Sequence, residues 1–256
     1  MFILRDVLLR KFEGKNMKKL KQKKYKEYNI YFLEEKYKIL AEKIIEKEFK
    51  EIRKIKDTKR NFVSLIEIDG NKYIYKEPRN EYRIPQRQFM TLFKKGEAVT
   101  TLLNINKLID IGFEEFVKPL TAVNIRKKGM INFSFFVMEY VLGEEDRNYL
   151  DEIVNKMEEV HRKGYYHGDF NPGNFLITNR KIKILDTQGK KMGLTKYRAH
   201  YDMITMQYDS YEGMKYPYKK DIIYHLAYFM KRLKRLPVIE KIGRVKKKLR
   251  DKGWKI

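Results

Sequence analysis

The stretch H-R-K-G-Y-Y-H-G-D-F-N-P-G-N-F-L-I-T-N-R-K-I-K-I-L-D, residues 161–186, decides the reading of the fold. Gly168, Pro172 and Gly173 punctuate its middle, where neither helix nor strand continues comfortably, so a loop is expected. Phe175-Leu176-Ile177-Thr178 reads as a short strand and Asn179-Arg180 as a turn. Lys181-Ile182-Lys183-Ile184-Leu185 alternates polar and apolar like a returning strand. A hairpin brings its two ends together. Asn174 enters this one and Asp186 leaves it, so their oxygen side chains are expected at the same end. A carboxylate and an amide oxygen held there suit Mg2+, which takes hard oxygen ligands and shares them with phosphates. Asp169, on the same loop, is the candidate to accept a proton from an attacking hydroxyl.

His167-Gly168-Asp169-Phe170-Asn171-Pro172-Gly173-Asn174 resembles the H-R-D-x-x-x-x-N catalytic loop of protein-kinase-like enzymes, and Asp186 stands where the D-F-G aspartate would be. More narrowly, H-G-D-x-N-x-G-N followed by L-D-x-x-G-K resembles the small bacterial kinases of lipopolysaccharide core heptose, the heptose(II) kinase family. The resemblance covers roughly residue 46 to the C-terminus. It implies an α+β, protein-kinase-like fold of two lobes, a β-rich N-lobe at 46–141 and a short, mainly helical C-lobe at 142–256. Residues 1–45 stand apart as a basic N-terminal extension. The family's function implies ATP-dependent phosphoryl transfer to an alcohol group of an inner-core heptose. Asp169 would then be catalytic, Asn174 and Asp186 metal ligands, and ATP and Mg2+ the cofactors.

The N-lobe region supplies further parts that the resemblance calls for. Residues 62–68 and 72–76 read as strands joined at Asp69-Gly70-Asn71, a hairpin signal. The loop at 57–61 stands where phosphates would be covered, yet it holds no glycine. Thr58, Lys59 and Arg60 would have to hold phosphate with side chains. Lys76 ends its strand in the place of the V-A-I-K lysine, which neutralises phosphate charge. After Pro85, residues 86–103 read as one helix with Phe89, Leu92, Phe93, Gly96, Thr100 and Leu103 inward. Glu97 lies at the border of that apolar face, and an ion pair to Lys76 gives a carboxylate a reason to be there. Residues 131–141 read as a strand. By the resemblance, the backbone of Glu139 and Val141 would hydrogen-bond adenine, and Met138 would guard the back of the pocket.

Composition narrows the partners. The chain has 256 residues, 43% hydrophobic and 14% aromatic, enough for a sizeable core. It has no cysteine, which excludes disulfides and thiolate metal sites. The four histidines, His161, His167, His200 and His225, make no zinc spacing, and His161 and His167 read as structural. Fifty-eight Lys and Arg against 34 Asp and Glu give a net charge of +24. That points to an anionic partner. An AT-rich genome competes as the source of the lysines, though it would raise Glu as well. No apolar run has the length to span a bilayer, and Arg5, Asp6, Arg10 and Lys11 interrupt any signal-peptide core. A cytoplasmic protein is expected, peripheral at the inner face of the inner membrane.

The ends carry the rest of the charge. Phe2, Ile3, Leu4, Val7, Leu8, Leu9 and Phe12 fit one face of a short helix, and Lys15 to Lys26 form a basic run. Together they suit either an acidic membrane surface or a solvated extension. Met17-Lys18-Lys19-Leu20 also reads like a bacterial start. Residues 31–45 read as a helix. After the linker at Leu142-Gly143, a helix is expected at 148–163, stopped by Gly164, with further helices at about 197–208 and 219–234. By the resemblance, Asp202 sits behind the catalytic loop and accepts its backbone N–H groups. Gly168 replaces the H-R-D arginine, no A-P-E appears, and little chain follows Asp186. That disfavours a regulated protein kinase. The acceptor expected is an anionic glycolipid, the lipopolysaccharide core, with Lys190, Lys191 and Arg198 supplying positive charge; nucleic acid is not expected. The competing readings are another small-molecule or atypical protein kinase, and a non-catalytic, anion-binding pseudokinase.

Overall fold

The computed structural model describes residues 19–210 and 213–234. The chain divides into two compact units, parted between Tyr140 and Val141.

The first unit is built on one antiparallel sheet of seven strands. In chain order these are β1 (Lys21–Tyr25), β2 (Tyr28–Phe32), β3 (Lys50–Asp57), β4 (Phe62–Ile68), β5 (Asn71–Glu77), β6 (Pro119–Lys127) and β7 (Met130–Glu139). Their order across the sheet is β1-β2-β6-β7-β5-β4-β3. Two-residue turns set the register. Asp69-Gly70 and Lys128-Gly129 both hold positive φ at both positions, the backbone whose twist matches the flanking strands.

Both faces of the sheet are covered. Successive side chains of a strand point to opposite faces. Val123, Phe135 and Val137 meet Leu40, Ala41 and Ile44 of α1 (Glu35–Ile45) on one side. Ala122 and Phe136 meet Ala98, Val99 and Leu102 of α2 (Glu97–Asp110) on the other. This is why residues 133–138 are apolar almost throughout, where a half-solvated strand would alternate.

Three sequence expectations change here. Tyr31 and Phe32 belong to β2, and the helix starts only at Glu35, because residues 29–32 pair with 121–124 of β6. Lys21–Phe32 is therefore the edge hairpin of this sheet, and the basic extension is no separate segment at that point. The helix expected over 86–103 is broken. A short helix, Pro85–Met90, runs into a 3-10 turn, Thr91–Phe93, and α2 begins after Gly96. Gly96 has φ +92, far from the helical region, so no helix passes through it; it is buried, and a Cβ there would meet Ile131. Phe89, Leu92 and Phe93 are exposed, where the sequence reading put them inward. The helix expected at residues 2–12, Lys15 and Lys18 lie outside the described residues, as do a second basic stretch from Lys241 to Arg250 and Trp254, which the sequence marks as a candidate anionic-surface contact.

The second unit carries α3 (Leu150–Arg162), the two-residue β8 (Tyr165–Tyr166), the hairpin β9 (Phe175–Thr178) and β10 (Lys181–Ile184), and β11 (Lys190–Lys191) paired to β8. Helices α4 (Tyr197–Ser210) and α5 (Ile222–Lys234) follow. Leu150, Ile153, Met157 and Val160 give α3 its buried stripe, and Met203, Ile204, Tyr224 and Ala227 give α4 and α5 theirs. Gly143 joins the linker to the hairpin. Its neighbour Glu144 bridges Ile177, and a Cβ at Gly143 would meet the Ile177 carbonyl at 2.8 Å.

Among the described residues no helix is long and apolar enough to cross a membrane.

Candidate active site

The loop between β8 and β9 is held from behind by one carboxylate. Asp202 lies on α4 with 1% of its surface exposed. Its Oδ2 accepts the backbone N–H of His167 at 2.7 Å, and its Oδ1 accepts that of Gly168 at 3.0 Å. His161 Nε2 reaches the same Oδ2 at 3.2 Å. The Tyr218 hydroxyl hydrogen-bonds His161 Nδ1 at 2.7 Å, and burial pushes that phenol's pKa up, so it keeps its proton. Gly168 has φ +92, the left-handed region that favours glycine. A side chain as long as arginine is not accommodated at that position without strain.

His167 joins the loop to the hairpin. Its Nδ1 accepts the Asp169 N–H at 3.3 Å, and its Nε2–H donates to the Leu185 carbonyl at 2.9 Å. That pattern fixes a neutral ring. Burial pushes its pKa down, against the pull of the Asp202 carboxylate. The Thr187 hydroxyl donates to the His167 carbonyl at 2.8 Å and accepts the Gly189 N–H at 3.1 Å. Phe170 and Phe175 are buried edge-to-face at 5.3 Å and fill the loop's underside.

Asp169 is left exposed at the front. The Asn174 Nδ2 donates to the Asp169 carbonyl at 2.7 Å and approaches its Oδ2 at 3.5 Å. The amide oxygen is then what Asn174 offers a cation. Leu185 donates its N–H to the Asn174 carbonyl at 2.9 Å, which sets Asp186 at the end of the hairpin where Asn174 enters. Asp186 is exposed and has φ +50. Aspartate is among the few residues that adopt this backbone. Two hard oxygen donors flanking one hairpin end fit Mg2+ bound with its own waters and phosphate oxygens. Among the described residues no cluster of three or more His, Cys, Asp or Glu is placed to hold a metal ion.

The remaining candidates lie as follows. Lys76 sits on β5 with its Nζ 5.7 Å over the Phe136 ring, on the sheet face that packs α2. Glu97 is the first residue of α2, not a residue of its middle. Its N–H donates to Glu81 Oε1 at 2.6 Å, and Ser134 donates to Glu81 Oε2 at 3.3 Å. Burial pushes the Glu81 pKa up, helped by the Glu97 carboxylate. The sequence reading passed over Glu81, a lone carboxylate in a polar run that no periodicity marks. Met138 packs into the α2-side core. Glu139 ends β7; its N–H donates to the Lys118 carbonyl, and its Oε1 accepts the Lys118 N–H. Val141 opens the second unit. The Thr58 hydroxyl accepts the N–H groups of Arg60 and Asn61, so it shapes its own loop.

Comparison with known proteins settles the family. The profile of the family described as lipopolysaccharide core biosynthesis protein (WaaY) matches residues 19–245. The chain belongs to the WaaY family. The lipopolysaccharide core heptose(II) kinase WaaY of Escherichia coli is 27% identical over 196 residues, covering 72% of this chain and 83% of that protein. Its counterpart in Escherichia coli strain K12 is 27% identical over 201 residues, covering 73% and 84%. The match takes in the β1–β2 hairpin, so the added sheet edge lies within the WaaY family's span. Among solved structures, the PknI kinase domain of Mycobacterium tuberculosis is similar over 73% of this chain and 86% of that one, with 13% identity and a TM-score of 0.40. At that score the overlap decides nothing about the site. The α+β, protein-kinase-like fold rests on WaaY family membership, the sheet order and the locked loop. Kinase relatives make the chain a phosphotransferase by family.

Proposed function

We propose that the chain transfers the γ-phosphate of ATP to a hydroxyl of an inner-core heptose of lipopolysaccharide. The observation that carries this is the exposed Asp169 beside Asn174, on a loop locked by Asp202 and His167, in a chain of the WaaY family. The acceptor oxygen forms a bond to the γ-phosphorus as the bond to the β-phosphate oxygen breaks. ADP leaves, and the hydroxyl proton passes to the Asp169 carboxylate. Asn174 and Asp186 would hold Mg2+, which when bound neutralises phosphate charge. Lys76 would add a second positive charge, with Glu97 as its partner. The backbone of Glu139 and Val141, with Met138, would receive adenine. Most of the rate gain would come from positioning and electrostatics.

The acceptor reading has its own support in the second unit. Exposed Lys190 and Lys191 pair with Tyr166 and Tyr165, immediately before the loop, and the Arg198 guanidinium lies 5.3 Å over the Tyr166 ring. Three cations grouped there suit a phosphorylated or acidic glycolipid at an acidic membrane surface. The test is transfer of labelled phosphate from ATP to dephosphorylated core oligosaccharide, set beside generic protein acceptors. Label in the oligosaccharide supports the reading. Label in protein alone overturns it, and charge reversal at Lys190 and Lys191 that leaves the acceptor KM unchanged removes them from the acceptor site.

A further inference from the structure

The segment from Pro85 to Phe93 is turned inside out. Two of its polar residues, Gln88 and Thr91, face the protein. Gln88 Nε2 donates to the Ile131 carbonyl at 3.1 Å and to Asn132 Oδ1 at 3.0 Å. Thr91 is buried, and its hydroxyl accepts the Ile131 N–H at 2.9 Å. Arg126 staples the segment to the β6–β7 turn by donating to the carbonyls of Thr91, Lys94 and Gly129. Its apolar residues face out: Phe93 is 75% exposed, Phe89 55%, Met90 45% and Leu92 40%. The two phenylalanines touch edge-on at 6.1 Å. Leu92 leans over the β6–β7 turn, where a Cβ on Gly129 would meet its Cδ2 at 2.8 Å.

A contiguous apolar patch on a soluble surface marks an interaction site, and its surroundings say with what. Arg87 on the segment, Arg83, Lys94 and Lys95 flanking it, and Lys127 and Lys128 on the adjoining turn are all exposed. No acidic residue occurs at 82–96 or at 125–134. A partner protein with a mixed surface would leave some of these six cations unpaired. An anionic bilayer takes all of them at its headgroups while the aromatic and aliphatic tips enter the acyl boundary.

We infer that this patch docks the chain onto an anionic phospholipid bilayer. It rests on the membrane-surface part of the reading above and is independent of the acceptor. The polar anchors hold the segment rigid, so insertion needs no unfolding of it. Met, Leu and Phe side chains then lose water only on the membrane.

The experiment uses the full chain without nucleotide. Co-sedimentation with vesicles of pure phosphatidylglycerol and of pure phosphatidylcholine compares wild type with Phe89→Ser/Phe93→Ser and with Lys94→Gln/Lys95→Gln. Binding to phosphatidylglycerol is expected to weaken about tenfold or more in the first and about thirtyfold in the second. A site-specific readout is Phe93→Trp in a Trp254→Phe background. Its indole is expected to shift to the blue on phosphatidylglycerol vesicles and to be quenched by brominated phosphatidylglycerol. Unquenched indole on bound chains overturns the inference, as does equal binding by all variants. Loss of self-association in the same variants, with vesicle binding unchanged, also overturns it and makes the patch a contact between copies. Phosphate transfer to soluble core oligosaccharide is measured alongside. Failure there with patch-dependent vesicle binding overturns the kinase reading and leaves the docking surface standing.

Discussion

Asp202 holds the backbone of His167 at 2.7 Å, and this bond fixes the loop between β8 and β9 to helix α4 from a fully buried position. The same carboxylate takes the Gly168 N–H and the His161 ring. Hydrogen bonds to a buried charged group are worth about 1.5–3 kcal/mol, and removing the acceptor strands its donors. Asp202→Asn turns an amide N–H toward at least one of those donors. It should cost about 2–4 kcal/mol of stability, read as a lower urea midpoint, with phosphate transfer falling in step. A wild-type midpoint would mean that the loop is held by something else.

Glu81 makes a separable prediction. It caps the start of α2 by accepting the Glu97 N–H, and its pKa is raised first by burial and then by the Glu97 carboxylate. A folded pKa above the unfolded value gives stability that is full below the ordinary 4.5 and is lost as pH rises through the folded value. Glu81→Gln keeps an acceptor and removes the charge, so at neutral pH it should be as stable as wild type or more so. Glu81→Ala leaves the Glu97 N–H without its acceptor and should cost about 1–3 kcal/mol. Equal destabilisation by both variants would refute the assignment of the penalty to the buried charge.

Two histidines set an acid limit. Burial lowers the pKa of both His167 and His200, while Asp202 and Asp221 respectively pull the other way. The folded state keeps the rings neutral, and the unfolded chain protonates them near 6.5. Stability is therefore full above that value and lost as pH falls below it. Urea midpoints should hold steady above about pH 7 and drop toward about pH 5. A flat profile through that range would show that neither ring is held neutral by the fold.

Asp186 is tested by a substitution that keeps its backbone. Asparagine tolerates positive φ as aspartate does, so Asp186→Asn removes charge without forcing the turn at φ +50. Calorimetry should show that the Mg2+-dependent part of ATP binding is lost and the metal-independent part retained. Unchanged Mg·ATP affinity would exclude Asp186 as a ligand.

The sequence reached the loop because its chemistry is local. Gly168, Pro172 and Gly173 break regular structure where they stand, and the β9–β10 hairpin turns at Asn179-Arg180, both at positive φ. Asp202 came only through the family resemblance, since 33 residues separate it from Asp169 and nothing in its own helix marks it. Tyr31 and Phe32 read as helix in the sequence because a strand that adds to a sheet edge has no local signal beyond its own alternation. The segment after Pro85 misled for the opposite reason. Phe89, Leu92 and Phe93 carry helical spacing, and spacing alone points apolar residues inward. Here Gln88, Thr91 and Arg126 bind backbone and take the inner face, which only the fold reveals.

The central claim is that Asp169 takes the acceptor proton in phosphoryl transfer from ATP. The most direct measurement is the rate of labelled phosphate transfer to dephosphorylated core oligosaccharide, wild type against Asp169→Asn, with ATP affinity measured on both. The expected result is a rate lower by about 10²–10⁴-fold at unchanged ATP affinity. Transfer by Asp169→Asn at the wild-type rate would contradict the account.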